Sequence, residues 1–128
     1  MIKVTCALII DNQSRILAAQ RSQVMSLSLK WEFPGGKIES DETPEDCLIR
    51  EIKEELNVEI QIIKALPPNT HIYPKITIEL IPFICEHISG EIILKEHAQY
   101  RWLHTNELLA LDWADADVPI VKHYLTLY

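Results

Sequence analysis

One segment of the chain, residues 43–57, carries the signals of a helix with defined ends. Thr43 is a preferred N-cap residue, and Pro44 takes the first helical position, where its missing N–H is not needed. The helix is predicted to run to about Leu56, because Asn57 can adopt the left-handed conformation that often closes a helix. Fixed ends also fix which side chains share a face, and this constrains the rest of the fold.

The side chains of this helix divide into an apolar and an acidic face. At about 100° per residue, four apolar side chains fall within an arc of about 100°, which we predict to be the core face. They are Leu48, Ile49, Ile52 and Leu56. The adjacent arc holds Glu51, Glu54 and Glu55, in the half of the helix where the dipole disfavours negative charge. A surface helix ordinarily carries lysine or arginine there, so the acidic face needs an explanation.

Two interpretations of the acidic face are open. It can be a solvated surface, with Arg50 and Lys53 compensating part of the charge. It can also be a ligand set for a divalent cation, because Mg²⁺ and Mn²⁺ suit carboxylate oxygens. The segment just upstream favours the second interpretation. Gly35–Lys37 is predicted to form a turn that brings backbone N–H groups and an ammonium group close to phosphate oxygens.

The remaining segments predict a mixed sheet with one long helix early in the chain and shorter helices late. Alternating or continuous apolar runs predict strands, and Asp11–Ser14 supplies turn residues for an opening hairpin. The predicted strands are Val4–Ile10, Arg15–Gln20, Trp31–Phe33, Val58–Leu66, Ile72–Cys85, Gly90–Leu94 and Tyr100–Leu103. Residues 1–128 are therefore expected to form a single domain of the α/β or α+β class.

The connections are predicted from turn residues and helix caps. Ser22–Lys30 is predicted to be a loop, and Pro67–Asn69 a turn. Pro82 is expected at a bulge or an edge position, because proline cannot donate to a sheet ladder. Two short helices are predicted at the end of the chain, Thr105–Ala110 and one that Asp115 or Asp117 caps and that runs to about Leu125.

The charge balance and the cysteines exclude several classes of protein. A formal net charge of −7 argues against binding to a nucleic acid polymer, which requires a basic patch. No apolar run has the length that crosses a bilayer, so no contact with a membrane is expected. Cys6, Cys47 and Cys85 lack metal-ligand spacing and are expected to be small buried residues in a reducing cytoplasm. The sequence leaves both a monomer and a homodimer open.

The region from Gly36 to Val58 resembles the Nudix box. The matching positions are Gly36, Glu42, Arg50, Glu51, Ile52, Glu54, Glu55 and Val58. Asn57 stands where the family usually has glycine, and asparagine is the next best residue for a left-handed cap. The motif WEFPGGK ahead of the box resembles the MutT branch of the family. The resemblance covers nearly the whole chain and implies the Nudix fold, a mixed sheet flanked by helices with the box as loop–helix–loop.

This resemblance implies the residues that hold Mg²⁺ or Mn²⁺. Glu54 and Glu55 match the metal-binding pair of the box. Glu51 matches a further ligand that acts as a base or orients the attacking water. Glu96 resembles the carboxylate that this branch adds from outside the box, although a lone loop glutamate is as readily a solvated acid. The resemblance also implies Gly35 as a metal ligand.

Other positions are implied to bind the phosphates or to hold the box together. Arg21, Gly36 and Lys37 match residues beside the phosphates. Glu42 and Arg50 are expected to form an ion pair that holds the helix against the preceding loop.

The implied reaction is hydrolysis of a nucleoside triphosphate to a monophosphate and pyrophosphate, with water attacking the β-phosphorus. The expected substrate is 8-oxo-dGTP, and the expected role is sanitation of the nucleotide pool in support of DNA replication and repair. Cytidine triphosphates are the rival substrates, because Asp117 stands where MutT has an asparagine that contacts the base. An ionised carboxylate accepts hydrogen bonds but cannot donate one to O6 of guanine. Phe33 and Lys75 are further candidates for contacts with the base.

Several alternatives stay open at this point. Asp117 can simply cap the last helix. Trp102 and Trp113 can stack on a base, although large aromatic residues more often fill cores. The histidines share no spacing and are expected at the surface or at strand ends, without a chemical role; they are His71, His87, His97, His104 and His123. The competing classes are a non-catalytic Nudix-fold module that binds a base or a protein, and a hydrolase of nucleoside diphosphate sugars or dinucleoside polyphosphates.

Overall fold

A computed structural model describes residues 1–127 and arranges them around one eight-stranded mixed sheet. The strands are β1 (Ile2–Ile10), β2 (Ile16–Gln20), β3 (Trp31–Glu32), β4 (Gly35–Lys37), β5 (Glu59–Ala65), β6 (Asn69–Tyr73), β7 (Ile76–Ser89) and β8 (Gln99–Leu103). The helices in this part of the chain are α1 (Pro44–Leu56), a 3₁₀ helix (Thr105–Ala110) and α2 (Val118–Leu127). The α+β class expected from the sequence is confirmed, and none of these helices is long and apolar enough to cross a membrane.

Strand β1 occupies the middle of the sheet because its apolar run suits burial on both faces. It pairs in parallel with β7 and antiparallel with β2 and β4. Strand β7 also pairs with β5 and β6, and β2 also pairs with β3 and β8. Leu8 faces the core on one side of the sheet, together with residues of α2, whereas Ile9 faces the core on the other side, together with residues of α1. Successive residues of a strand point to opposite faces, so one apolar segment supports both layers.

The ends of α1 are confirmed, but its predicted core face is partly wrong. Thr43 accepts a hydrogen bond from the backbone N–H of Asp46, and Asn57 closes the helix in the left-handed conformation with φ 60°. The predicted core residue Ile49 is 41% exposed, whereas Cys47 is fully buried. The helix packs closely on β4, where the Cys47 sulfur lies 3.2 Å from the carbonyl oxygen of Lys37. This contact turns the buried face toward Cys47 and away from Ile49.

Two of the predicted strands differ in the structure. The run Ile72–Cys85 is not one strand, because Pro74 and Lys75 turn the chain between β6 and β7. Apolar residues flank this turn on both sides, and this hides it in the sequence. Gly90–Leu94 forms no strand; instead the backbone N–H of Ile93 donates to the carbonyl of Leu56 at the end of α1, at 3.0 Å.

Gly35–Lys37 and Pro82 also differ from the predictions. Gly35–Lys37 is not a turn but strand β4, which pairs with Val4–Cys6 of β1. Pro82 is neither at a bulge nor at an edge, since it lies within β7 opposite Cys6 of β1. Its carbonyl accepts a hydrogen bond from Leu66 at 3.0 Å, so its nitrogen faces the gap between the ends of β5 and β6. Neither β5 nor β6 forms ladder hydrogen bonds with β7 at that point, so the missing N–H of proline is tolerated.

The last helices begin close to their predicted positions. The 3₁₀ helix starts at Thr105, but His104 is its N-cap residue, and its backbone N–H donates to Glu107 at 2.8 Å. Helix α2 starts at Val118, after Asp117. Cys6, Cys47 and Cys85 are free and buried, as predicted.

Candidate active site

Helix α1 presents its three predicted carboxylates at different depths. Glu51 and Glu55 are half-buried, and Glu54 is exposed, with a side chain 60% accessible. Glu51 and Glu55 are one turn apart, and a hydrogen bond links the two side chains. One oxygen of Glu55, Oε2, is buried and accepts no hydrogen bond from the described residues. The acidic face is therefore partly inside the protein, unlike a solvated surface.

Burial, together with the charges of Glu51, Glu32 and Glu96, raises the pKa of Glu55 to about 8. Burial also raises the pKa of Glu51, and Arg50 opposes that rise. A carboxyl pKa near 8 means that Glu55 holds a proton at neutral pH. Glu55 is then the donor in its hydrogen bond with Glu51. The three neighbouring carboxylates would favour a cation in place of this proton.

Arg50 is the centre of an ion-pair network at the start of this face. Its Nε and Nη2 atoms bind both oxygens of Glu42, at 3.0 and 2.7 Å. Its Nη1 atom contacts Glu51 at 3.1 Å and Glu54 at 3.2 Å. The hydrogen bonds from Arg50 lower the pKa of Glu42 to about 2. Because Glu42 precedes α1, the bidentate pair joins the loop to the helix.

The two glycines of β4 are required by close contacts on opposite sides. A Cβ atom on Gly35 would overlap the backbone of β1 at Thr5 and Cys6. A Cβ atom on Gly36 would overlap the carboxylate of Glu51. Gly35 therefore allows the sheet to form, whereas Gly36 allows the Glu51 carboxylate to lie against the β4 backbone.

A cavity of about 390 Å³ lies beside these glycines. Among the predicted site residues, its lining includes Arg21, Phe33, Gly35, Gly36, Lys37, Glu55 and Asp117. Apolar side chains of β1, β6 and β7 also line it, including Val4, Tyr73, Ile78 and Leu80. Glu51, Glu54, Glu96 and Lys75 are not among the lining residues. Glu55, a predicted metal ligand, and Asp117, a predicted contact for the base, therefore line the same cavity.

Asp117 lies in the wall of this cavity and is 6% exposed. Its Oδ2 atom accepts a hydrogen bond from the backbone N–H of Phe33 at 2.9 Å. Burial raises the pKa of Asp117 well above its usual range, and the charge of Glu32 adds to the rise. A protonated Asp117 can donate one hydrogen bond while it accepts another. The raised pKa therefore favours the form of Asp117 that has a donor, which an ionised carboxylate lacks.

Arg21 lies at the cavity but is already paired within the protein. Its Nη1 atom contacts Glu32 at 2.8 Å, and its Nε atom donates to the carbonyl of Ser26 at 2.6 Å. Ser26 belongs to the loop 22–30, in which Leu27 and Leu29 have positive φ angles of 52° and 62°. A phosphate group would have to compete with these partners for the guanidinium.

Glu32 and His97 are site residues that the sequence did not indicate. The side chain of His97 is 2% exposed, and its Nε2 atom lies 2.8 Å from Glu32. The expectation that the histidines lie at the surface or at strand ends is wrong for His97. The only signal was its place directly after Glu96, which does not show which way the ring points. Glu32 lies within the WEFPGGK motif, but its two partners are distant in sequence.

The other predicted residues lie outside this contact network. Glu96 is exposed, and its charge acts on Glu55. Lys75 is exposed at the turn between β6 and β7. Trp113 is a buried core residue that packs on Phe33 with ring centroids 4.7 Å apart, so it fills the core as large aromatic residues commonly do. Trp102 is half-buried and packs against the core on the α1 side.

The residues present fit a hard divalent cation, although the described residues 1–127 contain no group of three acidic, histidine or cysteine side chains close enough to form a complete site. The fit rests on the buried Oε2 atom of Glu55, which has no hydrogen-bond partner among the described residues, and on the neighbouring carboxylates that raise the pKa of Glu55. Glu51 and Glu54 are turned toward Arg50, so a cation would have to draw them away from it. Oxygen-rich, carboxylate-dominated sites suit Mg²⁺ or Mn²⁺.

Comparison with known proteins gives a consistent result. The family model described as the NUDIX domain matches residues 1–124. The chain is 32% identical over 127 residues to the CTP pyrophosphohydrolase of Escherichia coli K12, covering 99% of this chain and 93% of that protein. It is 29% identical over 120 residues to the 8-oxo-dGTP diphosphatase of the same organism, covering 94% of this chain and 93% of that protein.

A solved structure agrees with these sequence relatives. The solution NMR structure described as DNA mismatch repair protein MutT, family Nudix hydrolase, from methicillin-resistant Staphylococcus aureus 252 is similar with a TM-score of 0.79. The two chains are 41% identical, and the match covers 99% of this chain and 97% of that one. The similarity therefore extends over nearly the whole chain, including the sheet and helices α1 and α2.

Proposed function

Because the chain belongs to the NUDIX domain family, we propose that it is a metal-dependent hydrolase that cleaves nucleoside triphosphates into a monophosphate and pyrophosphate. The observation that carries the proposal is the half-buried carboxylate pair Glu51–Glu55, of which Glu55 lines the cavity and Glu51 packs against Gly36 at its wall. The relatives named as a pyrophosphohydrolase and a diphosphatase support the same reaction class.

Glu51, Glu54 and Glu55 would hold the cation, with Glu96 and Gly35 as further ligands. A bound Mg²⁺ supplies neutralisation of the phosphate charge and lowers the pKa of water in its coordination shell. It would also reduce the electrostatic repulsion between a protein of net charge −7 and a polyanionic substrate. Arg50 takes a second role, because it holds Glu51 and Glu54 in place before a cation binds.

The phosphate chain would lie along β4 and Arg21. Lys37 follows the two glycines, so its ammonium group and the backbone of Gly36 can both contact phosphate oxygens. Arg21 would exchange its hydrogen bond with Ser26 for one with a phosphate group, while Glu32 keeps the guanidinium in place. Glu51 orients the water that attacks the β-phosphorus and accepts its proton, because it is the carboxylate packed against Gly36.

The base would occupy the apolar part of the cavity, between Phe33 and the side chains of β7. Asp117 would select it. In its protonated form Asp117 can donate to O6 of guanine, so 8-oxo-dGTP remains the substrate that we propose first. This choice places the protein in sanitation of the nucleotide pool. Lys75 is a weaker candidate for a base contact, since it lies outside the cavity lining.

A cytidine triphosphate is the second candidate substrate. One observation favours it, the match to a CTP pyrophosphohydrolase over 99% of the chain. In its ionised form Asp117 could accept a hydrogen bond from the exocyclic amine of cytosine. The same carboxyl group thus allows both bases, and the protonation state within the cavity would decide between them.

The test is a parallel measurement of kcat/KM for 8-oxo-dGTP, CTP, dCTP, 5-methyl-dCTP and ADP-ribose, each with and without Mg²⁺. We expect Mg²⁺-dependent release of pyrophosphate, with the highest kcat/KM for 8-oxo-dGTP. A much higher value for dCTP or CTP would overturn the first substrate and support the second. Absence of turnover on every compound would instead favour a non-catalytic binding module. Preference for ADP-ribose would assign the chain to the hydrolases of sugar nucleotides.

A further inference from the structure

The His97 ring is held in a position that links two parts of the candidate site. Its Nε2 atom contacts Oε2 of Glu32 at 2.8 Å, and Oε1 of Glu32 contacts Arg21 at 2.8 Å. Glu32 is on β3, Arg21 follows β2, and His97 belongs to the segment that precedes β8. Each oxygen of the Glu32 carboxylate therefore has a different partner, and the three side chains form one chain of hydrogen bonds.

The direction of these hydrogen bonds follows from the chemistry of the groups. A carboxylate oxygen accepts hydrogen bonds and does not donate them, so the hydrogen bond between His97 and Glu32 comes from an N–H group at Nε2. In the tautomer that carries its hydrogen on Nε2, the other ring nitrogen, Nδ1, is an acceptor. Nδ1 is buried and has no hydrogen-bond partner among the described residues. An apolar side chain would fill this space without leaving a buried atom unpaired, so packing alone does not explain the histidine.

The segment that carries His97 also carries Glu96, and its backbone is tied down on both sides. The N–H of Lys95 donates to the carbonyl of Glu55 at 3.2 Å. The N–H of Ala98 donates to the carbonyl of Gln20 at 2.9 Å, directly before Arg21. The His97 side chain is a third link within the same few residues. Glu96 thus lies between an attachment to the metal-binding helix and an attachment to the strand end that bears Arg21.

We propose that His97 is a positioning residue that acts through Glu32 to fix the guanidinium of Arg21 beside the cavity. The inference rests on the proposed function, in which Arg21 binds the substrate phosphates. The role is one of orientation: the Nε2–H group of His97 holds one oxygen of Glu32, and the other oxygen then meets Arg21 in a single geometry. Without His97 the Glu32 side chain can rotate, and the carboxylate that orients the Arg21 guanidinium is no longer held in one position.

The first test needs no substrate and no metal. A long-range ¹H–¹⁵N spectrum of the metal-free protein at neutral pH reports the tautomer of each histidine, and the His97 signals are those that disappear in His97→Gln. The Nε2–H tautomer is expected, and the Nδ1–H tautomer would overturn the proposal. The Nε–H resonance of Arg21 is expected to shift in His97→Leu and to stay near its original position in His97→Gln. This test gives a result even if the protein hydrolyses no nucleotide, so it separates failure of this inference from failure of the proposed function.

The second test compares two substitutions by kinetics. His97→Gln keeps an N–H donor near the position of Nε2, whereas His97→Leu keeps the apolar bulk and removes the donor. Because a hydrogen bond to a charged group is lost, KM for the preferred triphosphate is expected to rise about tenfold in His97→Leu with little change in kcat. His97→Gln is expected to stay within about threefold of the original KM. His123→Leu, on α2, is the matched control and should leave both constants unchanged.

A merely structural role gives a different pattern. Both substitutions would then lower the thermal midpoint, and KM would not separate Gln from Leu; that result would overturn the proposal. A double substitution tests whether His97 acts through Arg21. In an Arg21→Ala background, His97→Leu should add no further increase in KM, because the group that His97 positions is already absent. An independent, multiplicative increase would show that His97 does not act through Arg21.

Discussion

The side chains of Glu55 and Glu51 are hydrogen-bonded one turn apart on α1, and the pKa of Glu55 is raised to about 8. The two carboxyl groups lie in a half-buried position, and burial is the largest cause of the raised pKa of each. A protein without a cation partner for them would have little reason to keep both acids there. The first two predictions follow from this pair.

Glu51→Gln is expected to lower kcat by about 10²–10⁴-fold, the range for loss of a group that moves a proton in the reaction. The amide keeps the shape of the side chain and its contact with Gly36, so the far-ultraviolet circular dichroism should not change. Glu59→Gln, an exposed position paired with Lys53, is the control and should retain full activity. Unchanged turnover in Glu51→Gln would remove Glu51 from the mechanism.

Binding of Mg²⁺ is expected to release the proton of Glu55 when the pH is below about 8. The affinity for Mg²⁺ should therefore rise with pH and level off above about 8, since the metal no longer displaces a proton there. Calorimetric titration in two buffers of different ionisation enthalpy measures the proton directly. Equal heats in both buffers at pH 7 would contradict the prediction. Glu55→Gln should bind the metal more weakly and without any proton release.

Gly35→Ala and Gly36→Ala form a matched pair with different expected outcomes. The new methyl group at Gly35 meets the backbone of β1, which cannot move aside, so we expect destabilisation of about 1–3 kcal/mol in chemical unfolding. At Gly36 the atoms nearest to the new methyl group are those of the Glu51 carboxylate, a side chain that can rotate away. Gly36→Ala should therefore unfold close to the original midpoint but lose Mg²⁺ affinity and activity. Equal losses of stability in both variants would contradict the assignment.

Asp117→Asn tests the buried carboxyl group through the dependence of stability on pH. The pKa of Asp117 is raised in the folded state, so from about pH 4 upward the unfolded chain has released a proton that the native protein still holds. The free energy of unfolding must then fall as pH rises through this interval. The amide cannot ionise, and at pH 8 we expect a thermal midpoint about 3–6 °C above that of the original protein. At pH 4 the two midpoints should approach each other, and a constant difference would count against a raised pKa.

Glu42→Gln should change stability at the acidic end of the pH range. The pKa of Glu42 is lowered to about 2 by its hydrogen bonds with Arg50, so its contribution is present above the ordinary glutamate pKa and is lost as pH falls toward 2. The variant lacks this contribution, and its denaturation midpoint should vary less between pH 5 and pH 2. Parallel curves for the two proteins would show that the ion pair with Arg50 does not stabilise the fold. Glu45→Gln, at an exposed position of the same helix, serves as the control.

Much of the α1 region could be predicted from the sequence because its signals are local. The N-cap at Thr43, the proline after it and the left-handed Asn57 each act within one turn of the chain, and all three were confirmed. The spacing of Glu51, Glu54 and Glu55 placed them on one face for the same reason. What failed was the rotation of the helix on the sheet, since the close contact of Cys47 with β4 depends on glycines of a separate strand.

The failures elsewhere share a physical cause. Apolar residues continue across the turn at Pro74 and Lys75, and only the pairing of β6 with β7 shows where one strand ends. Residues 90–94 have the composition of a strand, but Ile93 bonds to the end of α1. In both cases the partner of a backbone group, rather than the type of side chain, decides the structure.

The sequence by itself determined the carboxylate helix, the family and the chemistry expected at the phosphates, because these depend on residues at fixed short spacing. The tertiary structure alone decided that Glu55 is buried enough to hold a proton, that Asp117 reaches the N–H of Phe33, and that His97 meets Glu32. The last two contacts join residues 84 and 65 positions apart. Their geometry is set by how the sheet, its loops and the last helix pack together, and no local pattern in the chain carries that information.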